Sequence, residues 1–269
     1  MQGVLLAAVL FGIVVGAALI TASGMWWLPS LASNWGSIDT MLIVTLVVTG
    51  AAFVAVNGVL AYFVFRYRGR GGQRAAFIPD NPRLEKALIA ITALGIALLL
   101  GPGLFVYSRL IQAPHDALTV EVVAQQWAWS YRYPGQDGVL GRAAPELISS
   151  ENPFGLDLTD PHSYDDVLVF PGGQLHLPVG KPVVFKLRSK DVIHSFYVPQ
   201  FRVKMDAVPG MVTQTWVTPT KTGTFQVACA ELCGIGHYGM VSAIVVESRE
   251  EFEAWLGQQP TVAQTMGLP

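Results

Sequence analysis

The sequence predicts a mixed architecture in which apolar membrane helices lead into an all-β domain, a compact barrel or sandwich. Three observations predict it. Two uncharged runs, Met41 to Phe65 and Ala87 to Tyr107, are each long enough to cross roughly 30 Å of hydrocarbon. Past Tyr107 the continuous apolar runs give way to short, often alternating segments broken by Pro and Gly, the pattern of half-buried strands. The composition of the 269 residues, 52% apolar against 13% charged, is also more apolar than a soluble protein carries.

The first element is the apolar run Val4 to Ile20, and residues 1–22 suit either a third membrane helix or a secretory signal. The opening Met-Gln-Gly lacks the positive side chains of a signal peptide, and Thr21 to Gly24 offer only an ambiguous cleavage site. The expectation is therefore a retained helix with its N-terminus in the cytoplasm. Residues 41–110 then form a helical hairpin. Its connection carries Arg66, Arg68, Arg70, Arg74, Arg83 and Lys86, whereas Ser23 to Thr40 contains no Lys or Arg. The positive-inside rule keeps that connection in the cytoplasm and places everything after Tyr107 on the outer face, the periplasmic side in a bacterium. The chain is thus expected to be a multi-pass protein of a bacterial inner membrane, in contact with lipid. Its net charge of -2 says little beside this distribution.

In the outer domain, residues 114–257, Leu118 to Ala124, Trp127 to Tyr133, Val183 to Leu187 and Val241 to Glu247 read as strands, with turns at Pro171-Gly-Gly and Pro209-Gly. Trp127, Trp129, Tyr131 and Tyr133 alternate onto one face of their strand. Ser248-Arg-Glu-Glu251 is a capping box that opens a short helix through about Leu256. The tail, 258–269, reads as loop. There is no Cys-x-x-Cys-His attachment site, so no haem is expected in this chain. No nucleic-acid partner is expected either.

The chemistry is concentrated in Cys229-Ala-Glu-Leu-Cys233-Gly-Ile-Gly-His237-Tyr-Gly-Met240, which holds the only two cysteines of the chain. Thiolate and thioether sulfur favour copper over hard cations, and imidazole completes a mixed sulfur and nitrogen site. A second histidine, His194, lies upstream and suits a neighbouring loop. A mononuclear blue-copper site needs one cysteine, so the second is informative: two thiolates can bridge two metals. Gly234, Gly236 and Gly239 loosen the backbone of the loop. A Cys229–Cys233 disulfide and a Cys₂His₂ zinc site are the bland alternatives. Neither uses Met240. His115, His162 and His176 fall in no motif and read as surface or structural residues.

The Cys-x-Glu-x-Cys-Gly-x-x-His-x-x-Met run, with His194-Ser-Phe and Lys204-Met-Asp206-Ala-Val-Pro-Gly210, resembles subunit II of cytochrome c oxidase, in the haem-copper oxidase family. Gln126-Trp127-Ala128-Trp129-Ser130-Tyr131 resembles the aromatic segment of that family, and the likeness runs from about Met41 to Leu256. The resemblance implies a cupredoxin-like Greek-key β-barrel after the helices, holding a binuclear copper A centre. Cys229 and Cys233 would bridge both ions, His194 and His237 would bind one each, and Met240 and the backbone carbonyl of Glu231 would complete them. It further implies that Trp127 is where electrons enter, that the Glu231 side chain binds a magnesium or manganese ion shared with subunit I, and that Lys204 and Asp206 lie near that boundary. Glu85 would stand at the mouth of a proton channel, although Lys-Ala-Leu-Ile follows it where the family commonly has a Trp-Thr motif. Ala128 likewise replaces an often aromatic residue.

The function so implied is electron relay from cytochrome c, or a similar donor, to a subunit I bearing haem and copper B, with subunit III alongside. Oxygen would be reduced to water in subunit I and protons pumped. A coordination sphere filled by protein leaves no open position for substrate, which suits a relay. The acidic stretch Glu146, Glu151, Asp157, Asp160, Asp165 and Asp166 has no Lys or Arg among it and would steer a basic donor. Two other functions share parts of this pattern: the electron-accepting subunit of a copper A nitric oxide reductase, and a membrane-anchored copper chaperone.

Overall fold

The computed structural model describes residues 2–69, 77 and 79–268. They divide into a helical unit, 2–28 with 37–106, and a β unit, 29–36 with 107–268.

In the helical unit, α1 (Gln2–Ser23), α2 (Gly36–Arg66) and α3 (Pro82–Leu110) are each long and apolar enough to cross a membrane. The last two outrun the apolar stretches that predict them, because hydropathy marks the hydrocarbon core and a helix continues into its polar ends. Asp39 lies in the first turn of α2 and Arg66 in its last, each sign where the helix dipole favours it. Asn81 caps α3 by accepting from the Leu84 N–H at 3.1 Å. Arg70 and Arg74 of the basic connection lie outside the described residues; Arg66, Arg68, Arg83 and Lys86 are exposed or half-buried.

The β unit pairs two five-stranded sheets. One holds β1 (Leu118–Gln125), β2 (Ala128–Tyr133), β3 (Val167–Val169), β5 (Val183–Ser189) and β8 (Thr213–Val217) in the order β3-β2-β1-β5-β8. The other holds β4 (Leu175–Pro178), β6 (His194–Val198), β7 (Val203–Ala207), β9 (Gly223–Cys229) and β10 (Val241–Glu247) in the order β4-β10-β9-β6-β7. The β1–β5 and β4–β10 pairs are parallel and the rest antiparallel, so the chain crosses between sheets as a Greek-key sandwich does. Between the sheets lie Trp129, Phe185 and Phe196, with ring centroids 5.6 Å apart for Trp129–Phe196 and 5.1 Å for Phe185–Phe196.

Three features depart from the sequence pattern. Trp127 lies outside β2 and is 40% exposed, whereas Trp129, Tyr131 and Tyr133 are buried; one aromatic of the alternating series therefore faces out. Beyond Gly257 the tail folds into α5 (Val262–Met266), behind α4 (Arg249–Gln258), because Thr261 and Gln264 form a second capping box. Its Val262 joins Val123, Phe154, Leu156 and Leu168 in a small core on the outer side of β1. Residues 29–36 also pack on the β unit: Ser33 Oγ donates to the Phe201 carbonyl at 2.8 Å and the Trp35 indole N–H to the Trp216 carbonyl at 2.9 Å.

Candidate metal centre

The sheet that ends in the metal loop also brings up its distant ligand. His194 opens β6, which pairs with β9 through Phe196 opposite Cys229. The loop 230–240 joins β9 to β10, and its two ends are closed by the Cys229 N–H on the Met240 carbonyl at 3.1 Å. The Ala230 N–H donates to the Ser195 carbonyl at 3.0 Å, tying the loop to the histidine strand. A short 3₁₀ turn, His237–Gly239, then carries the chain back so that Met240 points inward.

Both cysteines are free, with Sγ atoms 3.7 Å apart, far beyond a disulfide bond. His194 Nδ1 lies 4.0 Å from Cys229 Sγ and His237 Nδ1 lies 3.6 Å from Cys233 Sγ. Met240 Sδ stands 3.8 Å from Cys233 Sγ, and the Glu231 carbonyl oxygen 3.1 Å from Cys229 Sγ. Donors bound at 2.0–2.3 Å around one tetrahedral metal sit roughly 3.3–3.8 Å from each other. The cluster therefore fits a metal, and its soft donors fit copper. The ligating atoms of His194, Cys229 and Cys233 all lie within 4.8 Å of one another, and all three residues are buried. Burial and the neighbouring Cys229 push the Cys233 thiol up to about 11, so paired thiolates need a cation among them to form.

Around these ligands stand two residues whose roles sequence reasoning missed. Asp191 meets His194 Nε2 at 2.8 Å, which leaves Nδ1 for the cluster, and it also accepts from the Gln126 N–H at 2.6 Å. Gln126 Nε2 and the Trp127 indole N–H both donate to the Cys233 carbonyl, at 2.9 and 3.2 Å. A carboxylate three residues before a ligand histidine was the legible signal for Asp191. Trp129 backs the site from inside, its indole N–H 3.4 Å from the Met240 carbonyl and its ring edge-on to His194.

The remaining expected residues are placed as follows. The Glu231 side chain is exposed. Lys204 and Asp206 form an ion pair at 3.0 Å on β7, where Asp206 lies opposite Ser195. Glu85 belongs to the helical unit, exposed in the first turn of α3. His162 pairs with Asp137, and His176 stacks on Trp255 at 4.0 Å while meeting Glu247 at 2.9 Å; neither approaches the cysteines. Three of the six acids of the stretch meet arginines within the domain: Arg142 meets Asp157 at 2.9 Å and Asp160 at 3.3 Å, and Arg132 meets Asp166 at 2.8 Å.

Residues 118–249 match the family model of the cytochrome C oxidase subunit II periplasmic domain. The chain is also 48% identical to the alternative cytochrome c oxidase subunit 2 of Bradyrhizobium diazoefficiens, across 97% of its own length and 94% of that protein. The chain belongs to the cytochrome c oxidase subunit II family. It is 32% identical to cytochrome c oxidase subunit 2 of Thermostichus vulcanus over 90% of its length and 81% of that protein. Among solved structures, the periplasmic domain of subunit II of cytochrome oxidase from Bradyrhizobium japonicum is 33% identical. That match covers 54% of this chain and 95% of the other at a TM-score of 0.40. As a subunit II, the chain is a component of a cytochrome-c oxidase that associates with other oxidase subunits. It is a membrane protein whose cupredoxin-like β unit is its periplasmic domain.

Proposed function

We propose that the cysteine and histidine cluster is a binuclear copper A centre through which this subunit relays electrons from cytochrome c to subunit I. One observation carries the reading: two free thiols 3.7 Å apart, each with its own imidazole, His194 beside Cys229 and His237 beside Cys233. Cys229, Cys233, His194 and His237 would together hold two metals. Met240 and the Glu231 carbonyl supply the remaining donors. A copper pair so held would supply a one-electron carrier.

The chain contributes position and insulation. Asp191 orients one imidazole, Trp129 and Phe196 pack behind it, and the protein donors would leave a bound metal no open position for substrate. Trp127 links the surface to the centre, since its ring is part exposed while its N–H reaches the Cys233 carbonyl. The Glu231 carboxylate is free to hold a magnesium or manganese ion at the boundary with subunit I, near Lys204 and Asp206. Oxygen reduction and proton pumping belong to the partner carrying haem and copper B, with subunit III beside it and Glu85 at a proton-channel mouth. The setting is a bacterial inner membrane crossed by α1, α2 and α3.

Copper stoichiometry and electron spin resonance of the purified oxidase test this. Two coppers in this subunit, with hyperfine structure from two equivalent nuclei, are expected. One copper, or coupling to a single nucleus, would reject the binuclear assignment.

A further inference from the structure

The ligands of the centre come from two stretches of chain, and the loop carrying most of them has little apolar packing to hold it. Leu232, Ile235 and Tyr238 on that loop are 80%, 88% and 90% exposed. Its position therefore depends on hydrogen bonds. We propose that Gln126 is a positioning residue that locks the Cys233 side of the loop to the carboxylate holding His194. The inference rests on the copper reading above and adds a residue to which that reading gives no role.

The connection is continuous. The Gln126 main-chain N–H donates to Asp191 Oδ2 at 2.6 Å, and the other oxygen of that carboxylate, Oδ1, lies 2.8 Å from His194 Nε2. From the same residue the side-chain Nε2 donates to the Cys233 carbonyl at 2.9 Å. Three hydrogen bonds thus run from one imidazole to the main chain of a thiolate ligand without passing through metal. The Trp127 indole N–H reaches the same carbonyl at 3.2 Å, so two adjacent residues close on one acceptor. Room for this closure comes from Gly234, at φ +120°: a Cβ there would stand 3.0 Å from Gln126 Nε2 and 3.2 Å from the Trp127 ring.

Partners that orient metal ligands from behind typically change metal affinity by about 10- to 100-fold when removed. Gln126 reaches one ligand segment through its backbone and the other through its side chain, so only the second link is lost on substitution. Gln126→Leu removes the donor, and Gln126→Glu keeps the shape while offering an ionised acceptor to a carbonyl. A surface amide that merely packs would tolerate the second change.

The test uses the purified oxidase, wild type and both variants. Copper loss from subunit II to a cuprous chelator is followed over time, and the copper electron spin resonance spectrum is recorded. Both variants are expected to lose copper about 10- to 100-fold faster than wild type, with altered hyperfine splitting. Release at the wild-type rate with an unchanged spectrum in either variant overturns the role of Gln126 and leaves the copper reading standing. A wild-type protein without a copper pair overturns the copper reading, and this inference with it.

Discussion

The Oδ1 oxygen of Asp191 stands 2.8 Å from Nε2 of His194, so the imidazole presents Nδ1 to the sulfur of Cys229. Burial alone would push the Asp191 carboxyl up. Hydrogen bonds from His194, the Gln126 N–H and the Val192 N–H outweigh it and hold the group below its ordinary value. An ionised carboxylate behind a neutral imidazole fixes its tautomer and strengthens it as a ligand.

Replacing Asp191 with Ala should therefore lower copper affinity by about 10- to 100-fold, read by chelator competition. Asp191→Asn should cost less, since its carbonyl still accepts from backbone N–H groups. Equal affinity in wild type and Asp191→Ala would show that the ring is held by packing against Trp129.

A methyl group at position 236 gives a separate handle on Trp127. The backbone of Gly236 has φ -89°, which any residue adopts, yet a Cβ there would overlap the Trp127 ring. Gly236→Ala should displace the indole and leave the ligands in place, because the shorter bond from Gln126, 2.9 Å against 3.2 Å from the indole, still holds the Cys233 carbonyl and ties it to Asp191. Misplacing partners by about 1 Å can cost on the order of 100-fold, so reduction by the donor should slow by at least roughly tenfold. Stopped-flow reduction beside an unchanged copper spectrum checks this. Trp127→Ala should behave alike, and normal reduction in both variants would take Trp127 out of the electron path.

Charge steering should be weaker than the acidic sequence between 146 and 170 suggests. Asp157 and Asp160 are engaged by Arg142, Asp166 is buried against Arg132, and Glu146 and Glu151 remain exposed. Exposed single charges contribute up to about 1 kcal/mol each, so Glu146→Gln with Glu151→Gln should slow donor association by up to roughly thirtyfold at low salt. The difference should vanish near physiological ionic strength. Turnover against salt concentration measures both. A loss of a hundredfold or more would restore the acidic stretch as the main docking element.

What the sequence made legible was local. Membrane spans show in unbroken apolar runs, the α4 cap in Ser248 and Glu251, and the ligand loop in its crowding of soft donors within twelve residues. Contacts made across the fold were not legible. Arg142 and Arg132 lie outside the acidic stretch, so counting charge inside it misses the cations that pair with half of its acids. Trp127 and Trp129 look equivalent in an alternating pattern, and only the end of β2 separates the exposed ring from the buried one. Gln126 reads as a polar residue beside an aromatic run; its link to Cys233 spans 107 positions.

The buried charges on the outer side of β1 predict how stability varies with pH. Arg132 and Arg188 each meet Glu121 at 2.6 Å, and Arg132 also meets Asp166. One Asp166 oxygen accepts from Arg132 and the Gly141 N–H, while the other is buried with no partner among the described residues. Burial thus outweighs the guanidinium and raises the Asp166 carboxyl from 3.8 to about 7. A group that binds its proton more tightly when folded stabilises the fold below its unfolded pKa, and that contribution is lost as pH rises through the folded one. Asp166→Asn, which imitates the protonated form, should match wild type near pH 4. It should become progressively more stable than wild type up to about pH 7 and hold a constant advantage above that. Thermal unfolding of both proteins in detergent across this range measures the difference. A wild type that gains on the variant as pH rises would mean that the Arg132 ion pair, and not burial, sets the state of Asp166.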